Sequence, residues 1–335
     1  MPLDRRSRIT RAALARRPTI APIEGDGPRP FWSVMLPTHD DADLLARALT
    51  SVLAQDPGPD EMQIEVVDDA STIGDAAAVA RELAGDRIQV HRHRANVGAS
   101  ANFTACVQRA RGRWVHLLHA DDLVRPGFYG AYRATLESRP CAMAVSRGWF
   151  IDADEQDLGL SGSLATTEDG YLAEAERVLA RDHPVNFASV VVARATYERL
   201  GGFDPELVHA NDWEMWTRIA HEGKVAVVPG ERTSYRQHDA SDTTRLRRSL
   251  THVRDPWQAM QIIGARFDDP ADDAELHRDR APKLADLAMQ VAEQHAAAGR
   301  RRLALSHAAW SLRHDPSGAR ARTAASIARR ARRVR

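Results

Sequence analysis

The stretch from Arg111 to Pro126, RGRWVHLLHADDLVRP, constrains the fold of this chain more than any other. Residues 114–118 are apolar enough to form a strand that is buried on both faces, and two adjacent carboxylates, Asp121 and Asp122, follow it closely. In open α/β sheets, ligands bind beyond the carboxyl ends of the strands, and carboxylates there suit Mg²⁺ or Mn²⁺. On its own, such a pair is more often a cap on the turn after a strand, so the metal interpretation depends on the rest of the chain.

Short apolar runs alternate with amphipathic helical segments on both sides of this strand. The loops between them are short and polar, and this alternation predicts an α/β fold with a mostly parallel sheet and right-handed crossovers. Residues 152–170, which are polar and contain glycine, predict a mobile loop. The predicted strands lie at 32–36, 64–67, 88–91, 114–118, 142–146, 187–192, 225–228 and 234–238.

The 335 residues divide into three predicted regions. Residues 1–30 are rich in Arg and Pro and predict a flexible tail. Residues 31–250 carry the alternating pattern and predict the α/β domain. Residues 251–335 predict a helical extension, in which segments around 284–291 and 303–312 form a helical hairpin.

Composition restricts the classes of protein that this chain can belong to. The formal net charge is zero, so the chain as a whole does not match nucleic acid. The 2 cysteines, Cys106 and Cys141, are too few for a disulfide scaffold and favour a reducing, cytoplasmic compartment. No run reaches the roughly 18 to 20 apolar residues that a membrane-spanning helix needs. The heavy use of Ala and Arg favours a bacterial source.

The C-terminal stretch from Gly318 is rich in Arg, contains no acidic residue and has two interpretations. It is either a solvated helix end or a surface that contacts anionic lipid at the inner face of the plasma membrane. Because Ile327 and Val334 offer little apolar area, any such membrane contact is expected to be weak and peripheral, and the solvated end is favoured.

Seven segments in a fixed order carry a more specific signal. They are SVMLPTHD, EVVDDAS, NVGASANF, GRWVHLLHADDLVRPG, GGFDPEL, NDWEMWTRIAHEG and YRQHDAS, and together they cover about residues 31–245. In this order and spacing they resemble the family 2 glycosyltransferases of the GT-A fold, which are inverting enzymes. The resemblance implies transfer of a sugar from a nucleotide-diphosphate donor, with a UDP-sugar favoured, to an acceptor hydroxyl on a saccharide, a lipid-linked glycan or a small-molecule glycoside.

The resemblance places the nucleotide at the ends of the first strands. Pro37, Thr38 and His39 follow the first strand, and Asp69 follows the second and is expected to accept a hydrogen bond from an imide N–H of the base. Asp69 could alternatively cap a turn, and His39 could simply be solvated. Two further residues, Asn96 and Gly98, are expected to let the backbone pass close to the nucleotide, although a simple helix-entry turn explains them nearly as well.

The resemblance also assigns a divalent cation, Mg²⁺ or Mn²⁺. The usual acidic motif has its first acid where this chain has His119, which is a departure from the pattern. The metal is therefore assigned mainly to Asp122, with Asp121 directed to the ribose or the metal. His238 occupies a position that reaches the metal or the diphosphate in several relatives, but an isolated histidine is more often not a ligand.

The general base is assigned to Asp212, at the start of the helix that NDWEMW begins. The family has an acidic pair here, and Asn211 replaces its first member. An inverting displacement needs a single carboxylate to accept the proton of the acceptor hydroxyl. The alternative for Asp212 is a helix cap. Trp213 is a candidate for stacking on a sugar ring, whereas Trp216 is expected to belong to the core.

Two other classes of function remain as alternatives. A nucleotidyltransferase of nucleotide-sugar synthesis would need a Gly-rich, basic loop after the first strand, which Pro37-Thr38-His39-Asp40 does not supply. A non-catalytic relative that binds nucleotide sugars would be indicated by loss of the metal acids or of Asp212, and all of these are present.

Overall fold

Nine strands form one sheet in the part of the chain that the structure describes. The structure is a computed structural model that describes residues 5–25, 27–238, 246 and 249–333. The strands are β1 (Trp32–Thr38), β2 (Met62–Asp68), β3 (Gln89–Arg92), β4 (Trp114–Leu117), β5 (Leu123–Val124), β6 (Met143–Ile151), β7 (Asp157–Leu160), β8 (Val190–Ala193) and β9 (Val225–Arg236).

The sheet has a parallel half and a mixed half. Its order is β3-β2-β1-β4-β8-β6-β9-β5, with β7 paired to β6. The first four strands in this order are mutually parallel, so β1, β2 and β4 end at the same edge. Beyond them, β8 runs antiparallel to both β4 and β6, and β9 runs parallel to β6. The predicted α/β class is confirmed, and the parallel pattern holds for the half that carries the acidic loop.

Helices complete two compact units in the chain. The sheet unit contains residues 16–206 and 215–237, and the helical unit contains the described residues of 1–15, 207–214 and 238–335. The helices in chain order are α1 (Arg5–Arg16), α2 (Ala42–Leu53), α3 (Ala76–Ala84), α4 (Ala99–Arg109), α5 (Phe128–Ser138), α6 (Ala175–Arg181), α7 (Arg194–Leu200), α8 (Asn211–Glu222), α9 (Thr251–Gly264), α10 (Pro270–Ala297), α11 (Arg301–His314) and α12 (Gly318–Arg333).

Both faces of the sheet are buried, which explains why its central strands read as continuous apolar runs. Every residue of β1 and of β2 is buried. Successive side chains of β1 point to opposite faces: Val34 and Leu36 pack in one core cluster with Leu45 of α2, and Met35 packs in the other with Phe103 of α4. The sheet unit therefore has helices on two sides, and its ligand-binding groups have to emerge at the strand ends.

Strand β1 continues through Pro37, where the sequence predicts that it stops. Proline lacks an N–H and is usually excluded from central strands. Here the pairing of β1 with β4 ends at Met35, whose carbonyl accepts the N–H of Leu118, while the pairing with β2 runs on to Thr38. Because alternate residues of a strand bond to opposite neighbours, the imide nitrogen of Pro37 faces the side on which β4 has already ended. The missing donor therefore costs no ladder hydrogen bond.

Three predictions in the mixed half of the sheet need correction. Residues 187–189 form a 3-10 turn and the strand begins at Val190, and part of the predicted loop 152–170 pairs as β7. The two strands predicted at 225–228 and 234–238 are one strand, β9. Gly230 adopts a φ of +83°, and the register against β6 shifts twice at this level, so bulges absorb the interruption that Pro229 and Gly230 impose.

The predicted tail differs from the structure after residue 15. Ile20 is 1% exposed and belongs to a core cluster of the sheet unit. The guanidinium of Arg16 donates two hydrogen bonds of 2.8 Å to the buried carboxylate of Asp204, and the N–H of Gly202 donates to the carbonyl of Pro18. Residues 16–30 are thus part of the sheet unit, because an apolar side chain and two polar anchors outweigh the unfavourable Arg- and Pro-rich composition.

The helical unit contains more than the predicted hairpin. The hairpin corresponds to α10 and α11, and α9 and α12 pack with them: Val253 of α9 lies with Ala288 and Trp310, and Ile327 of α12 lies with Met289 and Ala304. In the described residues, no helix has the length and apolar character required to cross a membrane. Asp239, Ala240 and Ser241 of YRQHDAS, together with Val334 and Arg335, lie outside the described residues.

Replacement of Ile20 by alanine tests whether the N-terminal segment belongs to the folded unit. The change leaves a cavity in a closed core, so Ile20→Ala should lower the free energy of unfolding by about 2–5 kcal/mol. The measurement is thermal or denaturant unfolding beside the control Leu14→Ala, whose side chain is 56% exposed. Equal stability of the two variants would show that residues 16–30 do not contribute to the core.

Candidate functional site

The carboxyl ends of β1, β2 and β4 bring the predicted site residues of the sheet unit to one edge. Thr38 is paired with Asp68, and Met35 with Leu117. The N–H of Asp69 donates to the carbonyl of Thr38 at 2.9 Å, which carries the register of β1 and β2 one residue past the end of β2. Side chains that follow the three strands consequently enter the same crevice, as the parallel pattern predicts.

Asp69 holds the turn that precedes α4. Its two carboxylate oxygens accept the backbone N–H groups of Val97 at 2.7 Å and Gly98 at 2.9 Å, and the side-chain oxygen of Asn96 accepts the same Gly98 N–H at 3.0 Å. Gly98 has a φ of +86°, which a residue without a Cβ adopts at no cost. The structure therefore brings Asp69, Asn96 and Gly98 together. Each carboxylate oxygen of Asp69 keeps a second lone pair that can accept a further donor.

His39 lies at the same turn. The amide nitrogen of Asn96 is 3.1 Å from Nε2 of His39, while Pro37 and Thr38 are buried at the end of β1. The next residue, Asp40, accepts the N–H of Ile73 at 2.8 Å, and this hydrogen bond lowers the pKa of the Asp40 carboxyl below its usual value. The predicted nucleotide-binding residues thus form one contiguous group.

Asp68 has a structural role at the end of β2. One of its carboxylate oxygens accepts both the N–H and the hydroxyl of Ser71, and the other accepts the guanidinium of Arg92. With 1% exposure and these partners, Asp68 fixes the turn after β2 and leaves Asp69 as the carboxylate that faces the turn at Gly98.

The acidic loop between β4 and β5 forms a compact group of possible metal ligands. One ligand atom from each of His119, Asp121 and Asp122 lies within 4.8 Å of the other two. The ring of His119 stacks on Phe187 with a centroid distance of 3.9 Å and on Phe103 at 5.2 Å. These aromatic contacts fix the imidazole beside the two carboxylates, so three potential ligands converge without any rearrangement of the main chain.

Asp122 carries the clearest electrostatic signal in this group. Its side chain is completely buried, Oδ1 accepts the N–H of Arg236 at 3.0 Å, and Oδ2 has no hydrogen-bond partner among the residues that the structure describes. Burial, and next the neighbouring charge of Asp121, raise the pKa of the Asp122 carboxyl well above its usual value. A buried carboxylate with one unsatisfied oxygen and an acidic neighbour is the environment that a bound cation would stabilise. The donor set, two carboxylates and an imidazole, fits Mn²⁺ or Mg²⁺.

Two residues of this region are absent from the assignments based on the sequence. In the motif series, His119 is only a departure from the acidic pattern. Histidine is nevertheless a common metal ligand, and His119 lies two residues before Asp121 and three before Asp122. Arg236 connects the loop to β9: its Nε donates to the carbonyl of Asp121 at 3.0 Å, and its guanidinium also contacts Glu155 at 2.9 Å. No local pattern marks Arg236, because its partners are more than 80 residues away. The assignment of His238, which is half-buried two residues after β9, stays a prediction.

Asp212 lies in the first turn of α8 and is half-buried. Its Oδ1 accepts the N–H of Trp213 at 2.6 Å. The loop before the helix is anchored by the buried carboxylate of Asp255 in α9, which accepts the N–H groups of Val208, His209 and Ala210 at 2.7–2.8 Å. Three charge-assisted hydrogen bonds to one carboxylate restrict the backbone that leads into Asp212. The sequence gives no sign of this role for Asp255, which is more than 40 residues away.

The neighbouring acids and tryptophans have other partners. Asp204 is buried and paired with Arg16, and Glu214 is buried and paired with Arg266, so neither carboxylate is exposed to a substrate. Trp216 belongs to the core, as predicted, in edge contact with Phe187. The ring of Trp213 is 4% exposed and has the guanidinium of Arg280 over its face at 4.4 Å, which leaves no face for the sugar stacking considered from the sequence.

Comparison with protein families and curated proteins agrees with the motif series. Residues 33–195 match the model of Glycosyl transferase family 2. The chain is 27% identical over 239 residues to "Uncharacterized protein MT1568" of Mycobacterium tuberculosis, which covers 68% of this chain and 73% of that protein. It is 25% identical over 231 residues to "Succinoglycan biosynthesis protein ExoO" of Rhizobium meliloti, which covers 67% of this chain and 65% of that protein.

Solved structures with the same fold cover almost the whole chain. TarS 1-349 of S. aureus in complex with UDP-GlcNAc has a TM-score of 0.61 and 15% identity, over 91% of this chain and 93% of that one. The mannosyltransferase PcManGT of Pyrobaculum calidifontis, in complex with GDP-Man and Mn²⁺, has a TM-score of 0.51 and 19% identity, over 97% and 92%. At these identities the likeness concerns the fold, and it confirms the predicted GT-A architecture with a helical C-terminal region.

Substitution of Asp122 tests the electrostatic description without any substrate. Burial raises the pKa of this carboxyl in the folded state. Above the unfolded-state pKa of about 4, the unfolded chain therefore releases a proton that the folded chain retains, and the free energy of unfolding decreases as the pH rises. In chelator, Asp122→Asn should therefore be at least as stable as the wild type at neutral pH. Its advantage should disappear as the pH falls below about 4, where the unfolded-state carboxyl also binds a proton. The measurement is the melting temperature of both proteins across this range.

A lower melting temperature of Asp122→Asn at neutral pH in chelator would contradict this description. The matched control is Asp154→Asn, which neutralises an exposed carboxylate of the same unit. Its stability should change little at any pH, because an exposed charge in water is already solvated.

Proposed function

This chain carries a glycosyltransferase family 2 domain and is a transferase, and we propose that it moves a sugar from a nucleotide-diphosphate donor to an acceptor hydroxyl with inversion at the anomeric carbon. In this proposal residues 31–250 form the catalytic domain, and the helices from residue 251 onward extend it. The observation that carries the proposal is the buried Asp122 carboxylate, which adjoins Asp121 and His119 and whose Oδ2 lacks a hydrogen-bond partner within the described ranges.

We assign the metal to Asp122, with Asp121, His119 and His238 as further ligands. When bound, Mg²⁺ or Mn²⁺ would neutralise the negative charge that develops on the leaving diphosphate. The complex of PcManGT with GDP-Man and Mn²⁺ supports a divalent ion in this fold. The role of the protein is to hold two carboxylates in a buried loop where a cation offsets their repulsion.

The nucleotide is assigned to the group formed by Pro37, Thr38, His39, Asp69, Asn96 and Gly98. Asp69 uses both oxygens to hold the turn before α4, and its remaining lone pairs can accept the imide N–H of a base. The complex of TarS with UDP-GlcNAc and that of PcManGT with GDP-Man support a nucleotide-diphosphate sugar as the donor. Uracil presents such an imide N–H and guanine presents a comparable amide N–H, and a UDP-sugar is the favoured donor.

Asp212 is assigned as the general base. As the acceptor oxygen bonds to the anomeric carbon, the bond from that carbon to the diphosphate oxygen breaks, and the acceptor proton passes to the Asp212 carboxylate. The nucleoside diphosphate leaves as an anion. A single displacement of this kind requires one base and no covalent sugar–enzyme intermediate. Because Asp204 and Glu214 are buried in ion pairs, Asp212 is the half-buried acid that the GGFDPEL and NDWEMW segments retain for this role.

Metal dependence is the first test of the proposal. UDP and GDP should bind to the wild-type protein in Mn²⁺ or Mg²⁺ and should bind at least tenfold more weakly in chelator, since two carboxylates repel a diphosphate when no cation lies between them. Asp122→Asn should weaken nucleotide binding in Mn²⁺, as measured by isothermal titration calorimetry. Nucleotide binding that is unaffected by chelator would remove the metal from the proposal.

Asp212→Asn separates the general base from the helix cap. Asparagine caps a helix about as well as aspartate but cannot accept the proton, so stability should be preserved while turnover falls by roughly 10²–10⁴-fold. Donor affinity should not change. The control is Glu222→Gln, which neutralises an exposed carboxylate at the other end of α8 and should leave turnover intact. Turnover of Asp212→Asn close to that of the control would exclude Asp212 as the base.

A further inference from the structure

The guanidinium of Arg236 is a buried cation beside the two aspartates of the acidic loop. Its side chain is 1% exposed, its backbone N–H donates to Oδ1 of Asp122, and its Nε donates to the carbonyl of Asp121. Burial and the charge of Asp121 raise the pKa of the Asp122 carboxyl, and the N–H and the charge of Arg236 oppose them. A guanidinium this close to a carboxylate with a vacant oxygen is expected to pair with it, because such contacts are among the strongest hydrogen bonds in proteins.

The guanidinium is nevertheless directed to other acceptors. One terminal nitrogen donates to the carbonyls of Asp152 and Ala153, each at 3.2 Å, and the other donates to Oε1 of Glu155 at 2.9 Å. Together with the bond to Asp121, these contacts use three main-chain oxygens and one carboxylate. Glu155 is thus the charged acceptor of this guanidinium in the described part of the chain, and a buried cation depends strongly on such a partner.

The backbone of Glu155 is strained in the conformation that makes this contact. Its φ is +66°, in the left-handed region where glycine is the usual residue. The turn between β6 and β7 holds it there: the carbonyl of Asp152 accepts the N–H of Glu155 at 3.2 Å, and Oδ1 of Asp152 accepts the N–H of Gln156 at 2.9 Å. A strained residue that is retained at a site points to a role for its side chain. Here that side chain binds Arg236.

We propose that Glu155 is a positioning residue for the metal site: by pairing with the guanidinium of Arg236, it keeps that cation away from Asp122 and leaves Oδ2 available to a divalent ion. This inference rests on the proposed function, which assigns the metal to Asp122. Without the negative charge of Glu155, the guanidinium gains more from the Asp122 carboxylate than from neutral carbonyl oxygens, so it competes with the metal for the same oxygen.

The test titrates the full chain with Mn²⁺, with and without UDP, and measures free Mn²⁺ by electron paramagnetic resonance. Glu155→Gln keeps the size of the side chain and removes its charge. The affinity for Mn²⁺ should fall by about 10–100-fold, as is typical when a group that orients metal ligands is lost. Glu155→Gly, which suits the left-handed backbone and removes the carboxylate, should show the same loss. Melting temperatures in chelator verify that both variants are folded.

Two controls separate charge pairing from simple anchoring of the turn. Arg47 of α2 donates to the same Oε1 at 2.8 Å, and its side chain is 54% exposed. Arg47→Gln removes this anchor but leaves Glu155 paired with Arg236, so Mn²⁺ should bind as it does to the wild type. Glu231→Gln removes a carboxylate of matching exposure, 35% against 37%, that is paired with Arg147, and it should also leave Mn²⁺ binding unchanged.

Unchanged affinity of Glu155→Gln for Mn²⁺ would overturn the assignment. An equal loss in Arg47→Gln would also overturn it, because anchoring of the turn would then explain the effect without the charge. A wild type that binds no Mn²⁺, with or without UDP, would overturn both this assignment and the proposed metal. If the wild type binds Mn²⁺ but shows no metal-dependent binding of UDP or GDP, the proposed donor site fails alone, since the titration without UDP still tests Glu155.

Discussion

The hydrogen bond from the Arg236 backbone to the Asp122 carboxylate is the interaction on which the site depends. It joins the loop after β4 to the end of β9, two segments 114 residues apart in the chain. The guanidinium of the same arginine holds the Asp121 carbonyl, so one residue fixes both acids. The bond satisfies only Oδ1, however, and Oδ2 stays buried with no partner from the described residues. The fold accepts an electrostatically unfavourable carboxylate here, which is common where a protein keeps a position for a ligand.

Other buried acids of the chain have partners that satisfy their carboxylates, so they are not candidates for metal binding. Asp68 is satisfied by Ser71 and Arg92, and Asp204 by Arg16. Asp255 satisfies three backbone N–H groups and thereby fixes the loop before Asp212. These buried acids serve the main chain or a guanidinium. Asp122 differs because one of its two oxygens has no hydrogen-bond partner among the described residues, and this difference is what singles it out as the candidate metal ligand.

In the proposed function, the two halves of the sheet contribute different parts of the donor site. The parallel half, through the ends of β1 and β2, carries the turn at Asp69 and Gly98 that we assign to the nucleotide. The mixed half, through the end of β9, supplies Arg236, whose backbone N–H donates to the carboxylate of Asp122. The acidic loop runs from β4, the last strand of the parallel half, to β5 at the far edge of the mixed half. The loop that we assign to the metal and the diphosphate is therefore held by strands of both halves.

The sequence by itself determined the α/β class, the site edge and the acidic loop, because strand periodicity and strand-end polar residues are local properties. Through the motif series it also predicted site roles for Asp69, Asp121, Asp122 and Asp212, and these roles stay predictions. Only the tertiary structure showed that His119 joins the two aspartates, that Arg236 and Asp255 position the loops, and that Ile20 anchors the N-terminal segment. It also showed that β9 continues through Pro229 and Gly230 with the help of bulges. These features arise from contacts between residues that are distant in the chain, and the periodicity of a single segment carries no information about its remote partners.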